Sequence, residues 1–183
     1  MRRYKMALQL RAKIKEKGHG GVKIEGFCRL QIRDYDKDGE PSIIVADSGW
    51  RGPNQVTNIG FQNYINYVLG GSAGSLLVSY AAVGTGTTPA SNAGSLPGEY
   101  APASNAGARN PTTYSAPSST QIQWIASWAS SHNTTGANVN VANAGLYAHS
   151  STLSLMCGKT YTSSTWGTNQ ALNLTYQFNL SFT

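Results

Sequence analysis

Charged residues are scarce in this sequence, and the few that occur are unevenly distributed. Only 12% of the 183 residues are Asp, Glu, Lys or Arg, against roughly 25% in an ordinary soluble domain. From Gly52 to Thr183 the only charged residues are Glu99, Arg109 and Lys159. Acid–base catalysis needs two positioned carboxylates, or a carboxylate with a histidine. The C-terminal part offers almost none of these groups, so we expect no enzymatic activity and no catalytic residues.

Cysteines, histidines and long apolar runs are also few. Cys28 and Cys157 both lie in predicted strands, which predicts buried free thiols, or a disulfide if the strands are neighbours. The two cysteines are far apart in the sequence and the three histidines lack metal-ligand spacing, so a zinc site is not expected. Residues 34–39 match the first half of a calcium loop, but Val45 stands where the bidentate Glu belongs, so a solvated hairpin tip is favoured. No run approaches the ~18–20 apolar residues of a membrane span. We expect no metal, no cofactor and no membrane partner.

The basic charge is concentrated at the N-terminus. Residues 1–25 contain eight Lys or Arg and two Glu, which equals the net charge of +6 of the whole chain. Nucleic-acid readers usually combine a basic face with stacking aromatics, whereas Tyr4 is the only aromatic residue in this segment. We therefore predict that residues 1–21 form a basic arm that contacts a protein partner, and specific nucleic-acid binding is not expected. The candidate contact residues are Arg2, Arg3, Lys5, Arg11, Lys13, Lys15 and Lys17.

Alternation of apolar and polar residues predicts strands near the N-terminus. The pattern has period two over residues 4–14 and again over residues 22–33. Residues 34–39 have the composition of a hairpin turn, and a β-branched run follows over residues 42–46. Residues 56–69 instead have helical spacing, with Thr57 or Asn58 as the N-cap. These patterns predict a strand hairpin followed by the one substantial helix.

The rest of the chain predicts further strands separated by turns. The strands are expected over residues 76–83, 120–131, 139–147, 153–161 and 171–182. Several short strands with turn residues between them are typical of β-sandwiches. We therefore predict an all-β fold over residues 22–183: an antiparallel β-sandwich or jelly-roll-like domain with one helix, preceded by the basic arm.

Residues 84–118 are rich in Gly, Pro, Ser, Ala and Asn. They contain a short duplication, because residues 89–94 and 102–107 have the same sequence, PASNAG. This composition predicts a long loop, either an ordered excursion over a neighbouring subunit or a flexible tip. Loop residues often bind partners, and the candidates for contact with a receptor or a subunit are Tyr100, Arg109 and Tyr114.

Four segments in order resemble a group of tailed-bacteriophage virion proteins. They are VTNIGFQNYI at residues 56–65, VGTGTTP at 83–89, NAGLY at 143–147 and TYQFNLSF at 175–182. The resemblance spans about residues 22–183 and leaves residues 1–21 without a counterpart. It implies a non-enzymatic structural protein of the virion, of the head decoration (cement) or the tail-fibre-associated type.

The expected function combines this resemblance with the charge pattern. A capsid decoration protein would dock on the shell through its arm and its sandwich, with the major capsid protein or another virion protein as partner. A surface of hydroxyls and amides suits assembly, because few ions lose their water when neighbours dock. We expect a homo-oligomer at the virion surface, synthesised in the host cytoplasm. The alternative is a tail-fibre or carbohydrate- or receptor-binding module that uses the 84–118 loop and exposed aromatic residues.

Overall fold

The computed structural model describes residues 22–62, 77–100, 109–133 and 136–182. The strand predicted over residues 4–14, the basic arm and the part of the predicted helix beyond residue 62 lie outside these ranges. Two antiparallel sheets pack face to face in the described part, and each contains five strands. The prediction of an all-β sandwich is confirmed.

The ten strands of the described part follow the alternating segments of the sequence. In chain order they are β1 (Val22–Asp34), β2 (Ile43–Asp47), β3 (Gln55–Val56), β4 (Tyr80–Gly84), β5 (Asn110–Pro111), β6 (Thr113–Ser118), β7 (Gln121–Trp128), β8 (Val139–Tyr147), β9 (Leu155–Trp166) and β10 (Gln170–Phe182). A short 3₁₀ helix, Ser130–His132, links β7 to β8. The first sheet has the order β2-β1-β10-β7-β6 and the second sheet has the order β3-β9-β8-β4-β5.

The first and last strands form the long central pair of the first sheet. β1 and β10 pair without interruption from Val22 opposite Phe182 to Asp34 opposite Gln170. Both segments alternate strictly, so one set of side chains points inward along the whole ladder. This pairing ties the two ends of the domain together.

The core lies between the two sheets. Side chains from alternate strand positions fill it, because successive residues of a strand point to opposite faces. The largest of them are fully buried: Trp128, Leu30, Ile32, Leu172 and Leu174 from the first sheet, and Trp166, Leu146, Val83 and Val141 from the second. Of the four tryptophans, Trp128 and Trp166 belong to this core, Trp124 packs at its margin and Trp50 is exposed.

Residues 85–100 fold over the outer face of the second sheet, and we call them the covering loop. Leu96 of this loop is buried with Ala82, Tyr147 and Leu155 in a second apolar cluster. It lies over Gly145 and Gly158, which face each other in the β8–β9 ladder. A Cβ atom on Gly158 would be 2.7 Å from Cγ of Pro89 and 3.1 Å from Cδ2 of Leu96. The paired glycines therefore provide the space in which the covering loop packs.

Hydrogen bonds hold the covering loop in this position. The side-chain amide of Asn143 donates to the carbonyl oxygens of Thr87 (3.0 Å) and Pro97 (2.9 Å). The backbone N–H of Leu96 donates to the hydroxyl of Tyr147 at 2.7 Å. The VGTGTTP and NAGLY segments thus meet each other, because one begins the covering loop and the other forms its floor.

The prediction of one loop over residues 84–118 is therefore wrong in its extent, because this range includes two strands. Residues 85–100 are packed as described, and residues 110–111 and 113–118 are strands β5 and β6. β6 is held by its pairing with β7, a contact that its local composition does not reveal. Residues 101–108 lie outside the described part.

Thr57 caps the helix that begins after β3. Residues 58–62 are helical, and the Thr57 hydroxyl accepts a hydrogen bond from the backbone N–H of Gly60 at 3.1 Å. The same hydroxyl donates to the carbonyl oxygen of Leu155. Thr57 is therefore the N-cap, one of the two caps that the sequence predicts, and it also anchors the helix to β9.

The two cysteines are free thiols buried between the sheets. Cys28 lies on β1 and Cys157 on β9, and both belong to the main core cluster. Burial raises the pKa of each thiol from 9.0 to about 12. Burial also raises the pKa values of Tyr161 and Tyr176 in the same cluster well above 10.0.

These pKa shifts predict a loss of stability in alkali. Above about pH 9 the thiols ionise in the unfolded chain but stay protonated in the folded chain, so unfolding becomes more favourable as the pH rises toward 12. The free energy of unfolding should be constant between pH 7 and about pH 8.5 and should fall above that range. Chemical denaturation in a pH series measures it. A Cys28→Ala, Cys157→Ala double variant should show a shallower fall, and a flat profile in the wild type would contradict the prediction.

The close packing of the covering loop on Gly158 predicts that a side chain at this position destabilises the fold. Gly158→Ala should destabilise the fold by about 1–3 kcal/mol, because overpacking of a close contact displaces its neighbours. Urea denaturation measures the change. Thr162→Ala, at an exposed position of the same strand, is the matched control and should stay within about 0.5 kcal/mol of the wild type. Equal stability of the two variants would show that the covering loop does not rest on this glycine.

Candidate functional site

The residues proposed for partner contact are placed differently from one another. The seven basic residues of the arm lie outside the described part. Tyr100 is half-buried and packs edge-on against Trp166, with ring centroids 5.8 Å apart. Tyr114 on β6 is 58% exposed and packs edge-on against Trp124 at the same centroid distance. Of the three residues proposed in the loop, Tyr114 alone presents most of its side chain to solvent.

Arg109 has an internal role instead of the predicted surface contact. Its Nε donates to Oε1 of Glu99 at 2.8 Å, and its Nη1 donates to the carbonyl oxygens of His149 (2.9 Å) and Thr152. The guanidinium carbon lies 3.6 Å from the centroid of the Tyr147 ring. The side chains of Arg109 and Glu99 are only 5% and 14% exposed. Arg109 therefore has no open side for a partner.

Glu99 is equally occupied. Besides Arg109, it accepts a hydrogen bond from the Tyr147 hydroxyl at 2.6 Å. Burial and this carboxylate hold the pKa of Tyr147 well above its usual value. Two of the three charged residues after Gly52 are thus used to close the end of the covering loop against β8.

On the outer face of the first sheet, β10 and β7 present a ladder of uncharged amides and hydroxyls, and the neighbouring β1 presents Lys23, Glu25, Arg29 and Arg33. The side chains of the ladder are half-exposed and come from the outward positions of β10 and β7: Asn173, Thr175, Gln177, Asn179, Gln121 and Gln123. Gln123 donates to Gln177 at 2.8 Å, and Gln177 donates to Asn179 at 2.6 Å. These bonds fix the amides in rows across the strands. The result is a neutral, hydrogen-bonded surface that we call the amide face.

β2 forms an edge of the same sheet and exposes an apolar run. Ile43, Ile44 and Val45 are 51%, 48% and 46% exposed. An edge strand presents unpaired backbone groups, and natural edges are usually protected by Lys, Pro or a covering segment. Neither Lys nor Pro occurs within β2, and the one irregularity of this edge is a β-bulge at Val45. The sequence predicted this strand but gave no sign that it lies at an edge.

The turn between β1 and β2 is acidic, and we call residues 34–40 the acidic hairpin. It contains four carboxylates and one lysine, Lys37, for a net charge of −3. Asp36 organises the turn, because its carboxylate accepts the backbone N–H groups of Asp38 (2.9 Å) and Glu40 (3.0 Å). A bond from the hydroxyl of Ser42 and these N–H groups lower the pKa of Asp36. Asp38 and Glu40 are exposed.

The acidic hairpin does not have the arrangement of a metal site. In the described ranges, no three His, Cys, Asp or Glu side chains are grouped so that they could hold a metal ion. Asp36 points into its own turn, and Asp34 accepts a hydrogen bond from the side chain of Gln170 at 2.9 Å. The hairpin is therefore a solvent-facing patch of negative charge next to the apolar edge.

Comparisons of the chain with protein-family models, with curated proteins and with solved structures find no match. None of the helical segments that the structure describes has the length and apolar character needed to cross a membrane. The function is therefore inferred from the chain's own residues.

Two arginine–carboxylate pairs allow a controlled test of the internal role of Arg109. Arg109→Ala should destabilise the fold by about 3–5 kcal/mol, because it leaves Glu99 buried without its partner. Arg29 also forks onto a carboxylate, that of Asp47, but this pair is partly exposed to solvent. Arg29→Ala should cost less than about 1 kcal/mol. Urea denaturation measures both variants, and a small effect at Arg109 would return this residue to the list of surface candidates.

Proposed function

We propose that the protein is a non-enzymatic structural component of a tailed-bacteriophage particle, a capsid decoration or cement protein that docks on the shell through its sandwich and its N-terminal arm. The observation that carries the proposal is the amide face. It is an uncharged strip on β10 and β7 of the open first sheet, and it belongs to a domain whose second sheet is already covered by residues 85–100.

The chemistry of the amide face favours docking against another protein. Burying an ion requires the loss of its hydration, which costs several kcal/mol unless it is well paired. Amides and hydroxyls lose less, since they exchange water for equivalent hydrogen bonds across the contact. The rows from Gln123 through Gln177 to Asn179 are already aligned by their mutual bonds, so little side-chain entropy remains to be lost on docking.

The segments behind the resemblance support the proposal at the level of architecture. VGTGTTP and NAGLY build the covering loop and its floor, and TYQFNLSF supplies β10 at the centre of the first sheet. All three serve packing or pairing. A protein that shares them would share the covered second sheet and the open first sheet.

The pairing of β1 with β10 determines how many N-terminal residues can be deleted in a test of the arm. Residues 22–25 pair with residues 179–182 in the central ladder, so a deletion should stop before β1. Removal of residues 1–17 should leave the thermal unfolding midpoint nearly unchanged, because no described strand is shortened. It should abolish binding to particles that lack the protein, because the basic contact is lost.

Cosedimentation with such particles and immunogold electron microscopy measure the binding. Lys37→Gln, which changes an exposed basic residue in the turn between β1 and β2, is the control and should bind like the wild type. Regular label over the head with the wild type and none with the deletion variant is the expected result. Full binding by the deletion variant would remove the arm from the proposal.

A receptor-binding module at the tail is the second candidate. It is favoured by the exposed aromatic residues Tyr114 and Trp50, which are 58% and 43% exposed and could stack on a carbohydrate ring. Immunogold label at the tail instead of the head would favour this candidate over decoration.

A further inference from the structure

We propose that the acidic hairpin and the edge of β2 in one copy bind the N-terminal arm of a second copy as an added strand. The inference rests on the proposed function in one respect, because it assumes that the arm makes contacts in an assembly. It adds a second copy of the chain to the contacts of the arm.

The proposed binding site for the arm is the unpaired edge of β2, the first strand in the order of its sheet. Ile43, Ile44 and Val45 are consecutive and each is about half exposed. The register of β2 against β1 shifts between Ile44 and Ala46, so Val45 is the extra residue of a β-bulge. A strand added at this edge would pair the free backbone groups of β2 and would cover these three side chains. Main-chain pairing supplies the affinity in such strand additions, and alternate side chains supply the specificity.

The donor has the pattern of such a strand. Along residues 4–14 the even positions are Tyr, Met, Leu, Leu, Ala and Ile, whereas the odd positions are mostly Lys, Arg and Gln. In an extended conformation one face of this segment would be apolar and the other basic. The apolar face matches the aliphatic side chains of β2.

The distribution of charge also favours pairing of the basic arm with the acidic hairpin and β2. Of the seven acidic residues in the described part, Glu25, Asp47 and Glu99 each form an ion pair. The other four lie in the acidic hairpin, directly before β2. Residues 1–17 contain seven basic residues and one Glu, for a net charge of +6. The main excess of positive charge and the main excess of negative charge are therefore on the two segments that the edge would bring together.

Chain length favours the arm of a second copy over the arm of the same copy. Residues 48–54 continue along β1 after β2, with hydrogen bonds at Leu30, Cys28 and Gly26. If the whole alternating segment, residues 4–14, lay antiparallel along β2 with Ile14 beside Ile43, the chain's own arm would have to return about 40 Å along β1 to Val22. Residues 15–21 span at most about 29 Å. A second copy has no such limit and can pair antiparallel, as all described strands of both sheets do.

Charge reversal in two separate full-length chains tests the inference. The first variant carries Arg11→Glu, Lys13→Glu and Lys15→Glu in the arm. The second carries Asp38→Lys and Glu40→Lys, at exposed positions whose side chains do not organise the turn. We expect the wild type to sediment as an oligomer and each variant alone to associate at least about tenfold more weakly. An equimolar mixture should regain association, because the hairpin variant keeps the basic arm and the arm variant keeps the acidic hairpin.

Two further variants control for folding and for the edge. Lys23→Glu with Glu25→Lys exchanges an exposed ion pair at the other end of β1 and should associate like the wild type. Ile44→Lys should abolish association without lowering the thermal midpoint, because a lysine at an exposed edge blocks strand addition. A monomeric wild type, unchanged association of Ile44→Lys, or a mixture that fails to regain association would each overturn the inference.

Particle binding by the same proteins separates this inference from the proposed function. If association follows the expected pattern but no protein binds particles, the arm exchange stands and the decoration role fails. If the hairpin variant is as oligomeric as the wild type while the arm variant loses particle binding, the arm binds the shell and the exchange is wrong.

Discussion

The close approach of the covering loop to Gly145 and Gly158 is the contact on which the rest of this structure depends. Side chains at these two facing positions of β8 and β9 would hold Leu96 and Pro89 away from the sheet. Their absence allows the loop to bury a second apolar cluster on the outer face of the second sheet. The domain therefore has three layers, and the outer face of the first sheet stays open, with the uncharged amide face on β10 and β7 beside the charged side chains of β1.

The scarcity of charge follows from this arrangement. After Gly52 the chain has three charged residues, and two of them, Glu99 and Arg109, form one buried ion pair at the end of the covering loop. A buried pair of this kind contributes little net stability but is costly to break, so it fixes where the loop ends more than it strengthens the fold. The surface is left to amides and hydroxyls, which form ordered rows on the first sheet.

The sequence predicts strands in which apolar and polar residues alternate over many positions. It does not predict strands that form only because they pair with segments distant in the sequence. β1, β8 and β10 were predicted within one or two residues, because apolar residues recur along each of them, although two register shifts against β9 interrupt the alternation of β8. The strands β3, β5 and β6 are short or locally irregular, and they exist through pairing with β9, β4 and β7. The burial of Arg109 could not be read from a loop rich in Gly and Pro. For the same reason the pattern of residues 42–46 indicated a strand but not an edge, because strand order is a property of the sheet.

An exposed aliphatic edge is a hazard for a protein that remains monomeric, since any extended chain can add to it. Sequences usually remove the hazard by placing a lysine or proline in the edge strand, and β2 has neither. It is flanked instead by four carboxylates, which repel a second acidic hairpin and attract a basic strand. The same chain begins with a segment that alternates apolar and basic residues. The negative charge of the hairpin thus favours pairing of the β2 edge with a basic strand. It disfavours pairing of two β2 edges, because their acidic hairpins repel each other.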